Sequence, residues 1–153
     1  MPIKVKVGEK APDFEGPTGD GSRLGLKDFI GKKNVVLYFY PKDDTPGCTK
    51  EACSFRDNIS PIRAMGAEIL GVSLDSPNSH KKFTEKYGLN FPLISDKEKD
   101  IARAYGVLKD TQTSTNRVTF IIDKSGKVAH IFPKVDVIKH TEEVVAALKD
   151  LSP

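Results

Sequence analysis

Cys48 and Cys53 are the only cysteines in this chain of 153 residues. Both fall in Thr45-Pro46-Gly47-Cys48-Thr49-Lys50-Glu51-Ala52-Cys53, just after the apolar run Val35-Val36-Leu37-Tyr38-Phe39-Tyr40. A strand ending at Pro41, a short polar loop and a helix opening on Thr-Pro-Gly-Cys would set a sulfur at a helix N-terminus. Backbone N–H groups and the helix dipole favour the anionic, nucleophilic form of a thiol placed there. The chemistry to expect is redox chemistry at sulfur.

Thr45 is a suitable N-cap and Pro46 suits the first helical position, so Cys48 becomes the third helical residue. The Thr45 hydroxyl can then bond the Cys48 N–H as a simple cap, the first expectation from the local pattern, or face the sulfur and its substrate. With residues 46–59 helical, the two cysteines are about 140° apart around the axis and their Cα atoms about 8.7 Å apart. A disulfide tolerates no more than roughly 7 Å. Either the thiols stay reduced or the helix unwinds locally when they join. The same wheel sets Cys48, Ala52, Phe55 and Ile59 on the core-facing stripe and leaves Cys53 on a flank with Thr49, Arg56 and Ser60. Read without chemistry, Cys48 is a small buried hydrophobe and Cys53 a partly exposed thiol.

Other candidates are weaker on pattern alone. Arg117 opens a strand, where arginine is ordinarily a solvated surface residue. Glu51, one turn beyond Cys48, is placed either to orient Arg117 or to sit exposed on the helix. His80, His130 and His140 are far apart in sequence and read as scaffold or surface, so a Cys-His dyad is unsupported. A zinc site would need four converging ligands, and cysteines five apart on a helix converge poorly. No metal and no cofactor are expected.

The length suits one domain, taken as residues 1–153, with no linker, repeat or low-complexity tract. A net charge of +3, with lysines scattered among acids, does not indicate nucleic-acid binding. The opening Met-Pro-Ile-Lys-Val-Lys lacks a signal-peptide apolar core and no run reaches membrane-spanning length, so a cytoplasmic protein is expected. In that reducing compartment a close cysteine pair is catalytic or redox-sensing rather than structural.

Along the chain, Asp13-Phe14-Glu15 and Ser22-Arg23-Leu24 flank a Gly19-Asp20-Gly21 turn as a small hairpin, and a short helix over 26–30 closes at Gly31. Residues 34–40 and 67–74 read as buried strands. The cysteine helix runs toward Met65, with Pro61 kinking it or starting a second piece. A helix capped by Asp75 or Ser76 carries Phe83 and Tyr87 and stops at Gly88; residues 91–94 form a short strand and 97–105 a helix ending at Gly106. Residues 118–123 and 128–132 form a hairpin around Lys124-Ser125-Gly126-Lys127, and 141–151 an amphipathic helix with Val144, Val145 and Leu148 inward. Two βα units, a hairpin and a final helix predict an α/β, mixed-sheet fold of thioredoxin type with an N-terminal β-hairpin extension.

Pro41-Lys42-Asp43-Asp44-Thr45-Pro46-Gly47-Cys48 resembles the Pro-x-x-x-Thr-x-x-Cys signature of peroxiredoxins. The second cysteine five positions on is similar to the PrxQ, or bacterioferritin-comigratory-protein, subgroup. The likeness spans nearly the whole chain, including Gly8 to Phe14, Phe39-Tyr40-Pro41, Gly71-Val72-Ser73 and Arg117 ahead of Thr119-Phe120-Ile121-Ile122-Asp123. It departs at Val118, where relatives often carry Ser or Thr, and in the hydroxyl-rich stretch 111–115. The resemblance implies Cys48 as the peroxidatic cysteine, Cys53 as the resolving one, Thr45 and Arg117 as polar supports and Pro41 as the shield of the pocket. It further implies reduction of hydrogen peroxide and organic hydroperoxides through a Cys48 sulfenic acid. A disulfide between Cys48 and Cys53 would then be reduced by thioredoxin, glutaredoxin or another dithiol protein. With both thiols in one chain, a monomer is expected. A disulfide oxidoreductase would need Cys-x-x-Cys, whereas four residues separate these thiols. A redox-sensing binding module or an inert scaffold would lack catalytic turnover.

Overall fold

The strand Asn34–Phe39 (β3) is buried along its whole length, as a run of apolar residues with no polar alternation requires. Its odd and even residues face opposite ways and so build two cores. Val35, Leu37 and Phe39 enter one, while Val36 and Tyr38, followed by Tyr40, enter the other. The structure, a computed structural model, describes residues 3–151; the outermost residues of the expected domain, Met1, Pro2, Ser152 and Pro153, lie outside the described residues.

Strands Ala67–Ser73 (β4) and Leu93–Ser95 (β5) lie parallel to β3 on one side. Val118–Ile122 (β6) and Val128–Phe132 (β7) continue the sheet antiparallel on the other, in the order β5-β4-β3-β6-β7. A two-stranded hairpin, Glu15–Pro17 (β1) with Arg23–Gly25 (β2), precedes them. Helices Pro46–Asp57 (α1), Ile59–Ala64 (α2), Pro77–Tyr87 (α3), Asp100–Tyr105 (α4) and His140–Leu151 (α5) complete the fold. This mixed sheet flanked by helices, with its N-terminal hairpin, is the thioredoxin-like arrangement expected from the chain's pattern.

The face carrying Val36, Tyr38 and Ile121 is covered by Ala52 and Phe55 of α1, Ile59 and Ile62 from α2, and Val144 and Leu148 from α5. Phe55 packs tilted on Tyr38 at 4.9 Å and edge-on to His140 at 5.8 Å, contacts that seat α1 on the sheet. Gly71 of β4 is required here, because a Cβ would stand 2.7 Å from a Leu93 methyl and 3.0 Å from the Tyr38 ring.

Several boundaries differ from expectation for identifiable reasons. The cysteine helix stops at Asp57 because Asn58 leaves helical geometry, while its side-chain amide donates to the Ser54 carbonyl; Pro61 then lies in a separate α2. The hairpin's first strand lies two residues later than expected and its second one residue later, the turn drawn in by Thr18, Asp20 and Ser22 bonding one another. The fourth helix starts only at Asp100, since Lys99 adopts φ +69 and the Asp96 carboxylate accepts from the Ile101 and Ala102 N–H groups. Ser76, not Asp75, caps α3 by accepting from Ser79 N–H.

Candidate active site

Pro46 opens α1, placing the Cys48 sulfur in its first turn and against the sheet, where the residue is 1% exposed. Arg117, just ahead of β6, reaches under that turn. Its guanidinium forks: Nη1 donates to Glu51 Oε1 at 2.7 Å and Nη2 to the Cys48 sulfur at 3.3 Å. Gly47 makes the approach possible, because a Cβ there would stand 3.0 Å from Nη2. Only arginine can hold a carboxylate and a sulfur with one rigid planar group.

Glu51 is buried, at 1% exposure, so the expectation of an exposed helix carboxylate gives way to the orienting one. Burial raises its pKa from 4.5 to about 7 against the pull of Arg117. Burial works against the Arg117 charge, but Glu51 and Cys48 more than offset it and hold that pKa above its ordinary value. Behind this pair, Glu51 Oε2, Tyr38 Oη and His140 Nδ1 are buried with no hydrogen-bond partner among the described residues. Burial, reinforced by Glu51, pushes the Tyr38 pKa well up. Of the two readings of His140, scaffold or surface, the buried position fits the scaffold one: its Nε2 lies 2.7 Å from Thr119 Oγ1, and burial, with Arg117 adding to it, lowers its pKa from 6.5 to about 4.

Thr45 corrects the capping expectation. The residue stands at the N-cap position in extended backbone, yet its side chain makes no cap bond; the hydroxyl donates instead to the Lys42 carbonyl at 2.9 Å. Donating backward leaves the oxygen's lone pairs available beside the first turn. Cys53 lies half-buried on the flank of α1, as the wheel requires, and both thiols are free. Pro41 borders a cavity of about 330 Å³ with Leu74, Thr113 and Ser114. The divergent stretch 111–115 is tied to this wall by Thr115 Oγ1, which donates to the Tyr40 carbonyl. Neither this cavity nor the larger ones beneath α3 and between α1 and α5 is lined by Cys48, Thr45 or Arg117.

Sequence reasoning missed a buried polar group around Asp43, whose carboxylate accepts from Tyr40 Oη at 2.6 Å and Ser79 Oγ at 2.7 Å and meets His80 Nδ1 at 2.7 Å. Asp43, Asp75 and His80 could in principle gather on a cation. Each already bonds to protein groups. The consecutive acids Asp43-Asp44 inside the loop motif were the available signal.

A thioredoxin-like sheet presenting an arginine-held cysteine at a helix start defines a thiol-based redox protein. The match to known proteins makes this particular. The chain fits the AhpC/TSA family over residues 7–131 and belongs to that family, in its Bcp, or PrxQ, peroxiredoxin subgroup. Peroxiredoxin Bcp of Bacillus subtilis (strain 168) is 44% identical over 156 residues, 98% of this chain and 99% of its own length. Peroxidoxin BcpB from Mycobacterium tuberculosis superposes with a TM-score of 0.91 at 33% identity, covering 97% of this chain and 99% of that one. The Xanthomonas campestris bacterioferritin comigratory protein, described for its alkyl peroxide reduction activity, gives 0.87 at 34% identity over 99% and 100%. Peroxiredoxins are thiol peroxidases, and this chain is an enzyme of that class.

Proposed function

We propose that Cys48 is the peroxidatic cysteine and Cys53 the resolving one, in a single domain of residues 1–153 that reduces hydrogen peroxide and organic hydroperoxides. The observation that carries this is the Arg117 fork, one nitrogen on the Cys48 sulfur and the other on a buried carboxylate. The thiolate attacks the near peroxide oxygen, the O–O bond breaks, and the far oxygen leaves as hydroxide or alkoxide and is protonated. Arg117 and the Cys48 N–H donate to the oxygens as charge moves along that axis. Thr45, its own proton committed to Lys42, accepts the peroxide O–H. Pro41 keeps water off the site, and Glu51 keeps the guanidinium facing the sulfur.

Cys53 then condenses with the Cys48 sulfenic acid, releasing water, and a thioredoxin-like dithiol protein reduces the disulfide. An unbroken α1 holds the two Cα atoms about 8.7 Å apart, too far for that bond, so part of α1 unwinds in each cycle. With both thiols on one chain, no second subunit is needed for the cycle, which supports a monomer acting in the cytoplasm in antioxidant defence and redox homeostasis. Among the described residues no helix is long and apolar enough to cross a membrane.

Peroxide consumption coupled to a dithiol reductant, with mass spectrometry of the thiols, tests the assignment. Cys48→Ser should abolish turnover. Cys53→Ser should still form one sulfenic acid and then stall. Full turnover by Cys48→Ser would sink the proposal.

A further inference from the structure

Unwinding α1 raises the question of where the movement stops on its N-terminal side. Residues 41–45 carry Pro41 and Thr45 and lead directly into the helix, so a loop that moved with α1 would dismantle the peroxide pocket in every cycle. The side chains around Asp43 bear on this.

Asp43 is 7% exposed and His80 fully buried. The Asp43 carboxylate is reached by Tyr40 at the end of β3 and by Ser79 and His80 of α3, and its backbone N–H donates to Asp75 Oδ2 at 2.8 Å. Asp75 is fixed in turn by Ser73 Oγ. His80 Nε2 lies 3.1 Å from the Ile94 carbonyl, which can only accept, so Nε2 carries a proton and the ring is locked between β5 and Asp43. Asp44, at φ +56, sends its carboxylate to Lys86 Nζ and Tyr87 Oη, also on α3. None of these partners belongs to α1. The helix itself is held by other groups: Glu51 on Arg117, Ser54 on Thr141 of α5, and the Phe55 ring.

We propose that Asp43 and His80 are positioning residues forming a fixed hinge post, which keeps residues 41–44 docked on α3 while α1 winds and unwinds beyond them. The idea rests on the Cys48-Cys53 disulfide proposed above. Lifting α1 breaks none of the bonds to Asp43. Pulling the loop away as well would strand a buried carboxylate's donors, at a cost larger than that of one lost surface contact. The post has two consequences. Pro41 holds its place for the next peroxide, with Thr45 tied back to the held loop through the Lys42 carbonyl, and the reduced helix rewinds from a preset start rather than from a free coil.

Amide exchange by NMR on the reduced and peroxide-treated full chain tests this, with the intact mass checking the disulfide separately as a loss of two hydrogens. On oxidation the amides of α1 should lose protection while those of Tyr40 and Asp43, bonded to the Val72 carbonyl and to Asp75, keep theirs. Asp43→Ala should slow Cys48 oxidation about ten- to hundred-fold, the scale expected when reacting groups are misplaced by about 1 Å, and leave the later disulfide step as fast or faster. Asp43→Asn, whose amide can donate to His80 Nδ1, should recover most of the oxidation rate. The hinge is refuted if Tyr40 and Asp43 lose protection together with α1 in a chain whose mass shows the disulfide. It is equally refuted if Asp43→Ala slows both steps alike with no recovery by Asp43→Asn. A wild-type chain that consumes peroxide without the two-hydrogen loss refutes the disulfide, and with it the hinge.

Discussion

Glu51→Gln should make stability fall more steeply than in wild type as the pH is lowered from 6.5 to 4.5. The folded chain holds Glu51 at about 7, against 4.5 for a free carboxyl, and so binds a proton between those values that the unfolded chain does not. That contribution is fully present below pH 4.5 and is lost as pH rises through 7. His140 works the other way, at about 4 folded against 6.5 free. There the unfolded chain binds the proton, and the contribution present above pH 6.5 is lost as pH falls through 4. Between 6.5 and 4.5 the two slopes are each about 1.4 kcal/mol per pH unit with opposite signs, and they cancel.

Glutamine keeps the acceptor that Arg117 Nη1 uses and removes only the titration. Over those two pH units Glu51→Gln should therefore lose about 3 kcal/mol relative to wild type, the His140 slope now standing alone. Urea unfolding of the thiol-reduced proteins, followed by far-UV circular dichroism at pH 6.5 and 4.5, measures it; titrations common to both proteins subtract out. His140→Gln should show the reverse, gaining about 3 kcal/mol relative to wild type on acidification. A constant difference between wild type and Glu51→Gln across the window would refute the reasoning, since it would mean that folding leaves the Glu51 proton affinity unchanged.

Arg117→Ala should slow single-turnover oxidation of Cys48 by about 10²- to 10³-fold, the usual consequence of removing one donor to a developing oxyanion. Arg117→Lys should recover little, because one ammonium cannot span Glu51 and the sulfur together; near-complete recovery in rapid-quench measurements would contradict the fork. Ser54→Ala removes the 2.6 Å hydroxyl contact between α1 and Thr141, worth about 1 kcal/mol. It should speed disulfide formation about fivefold while leaving Cys48 oxidation unchanged, as read from the time course of alkylated thiols; an unchanged disulfide rate would place the unwinding elsewhere.

Much of the layout was legible because it follows from strong local signals. The continuous apolar strands, the Pro-Gly helix start and the stripe Cys48, Ala52, Phe55, Ile59 are one-dimensional patterns, and all four stripe residues are buried. What escaped depends on partners distant in sequence. Glu51 looked equally able to face solvent, because a helix wheel shows direction but not the arginine 66 positions away that meets it. Thr45 looked like a cap because its type and position are those of a cap, yet the Lys42 carbonyl competes successfully for the hydroxyl. His80 carries no local signature; it is defined by Asp43, 37 positions earlier, and by the Ile94 carbonyl. Gly47 read only as part of the helix opening, and its actual reason, room for the Arg117 guanidinium, needs the start of β6 beside the helix.

The unwinding proposed for α1 requires a helix firm enough to aim a sulfur and loose enough to release it, and the same contacts bear on that balance. The apolar hold on α1 is concentrated in Ala52 and Phe55, and burying a phenylalanine contributes about 2 to 3 kcal/mol. Beneath it, Glu51 Oε2, Tyr38 Oη and His140 Nδ1 lack partners among the described residues, each costing about 1 to 3 kcal/mol while buried. In the proposed unwinding, solvent reaching these atoms as α1 lifts would offset part of the lost packing. The polar layer under Cys48 thus bears on both proposed steps: through Arg117 it holds the sulfur where peroxide would be attacked, and through its unmatched atoms it lowers the cost of the unwinding that the proposed disulfide requires.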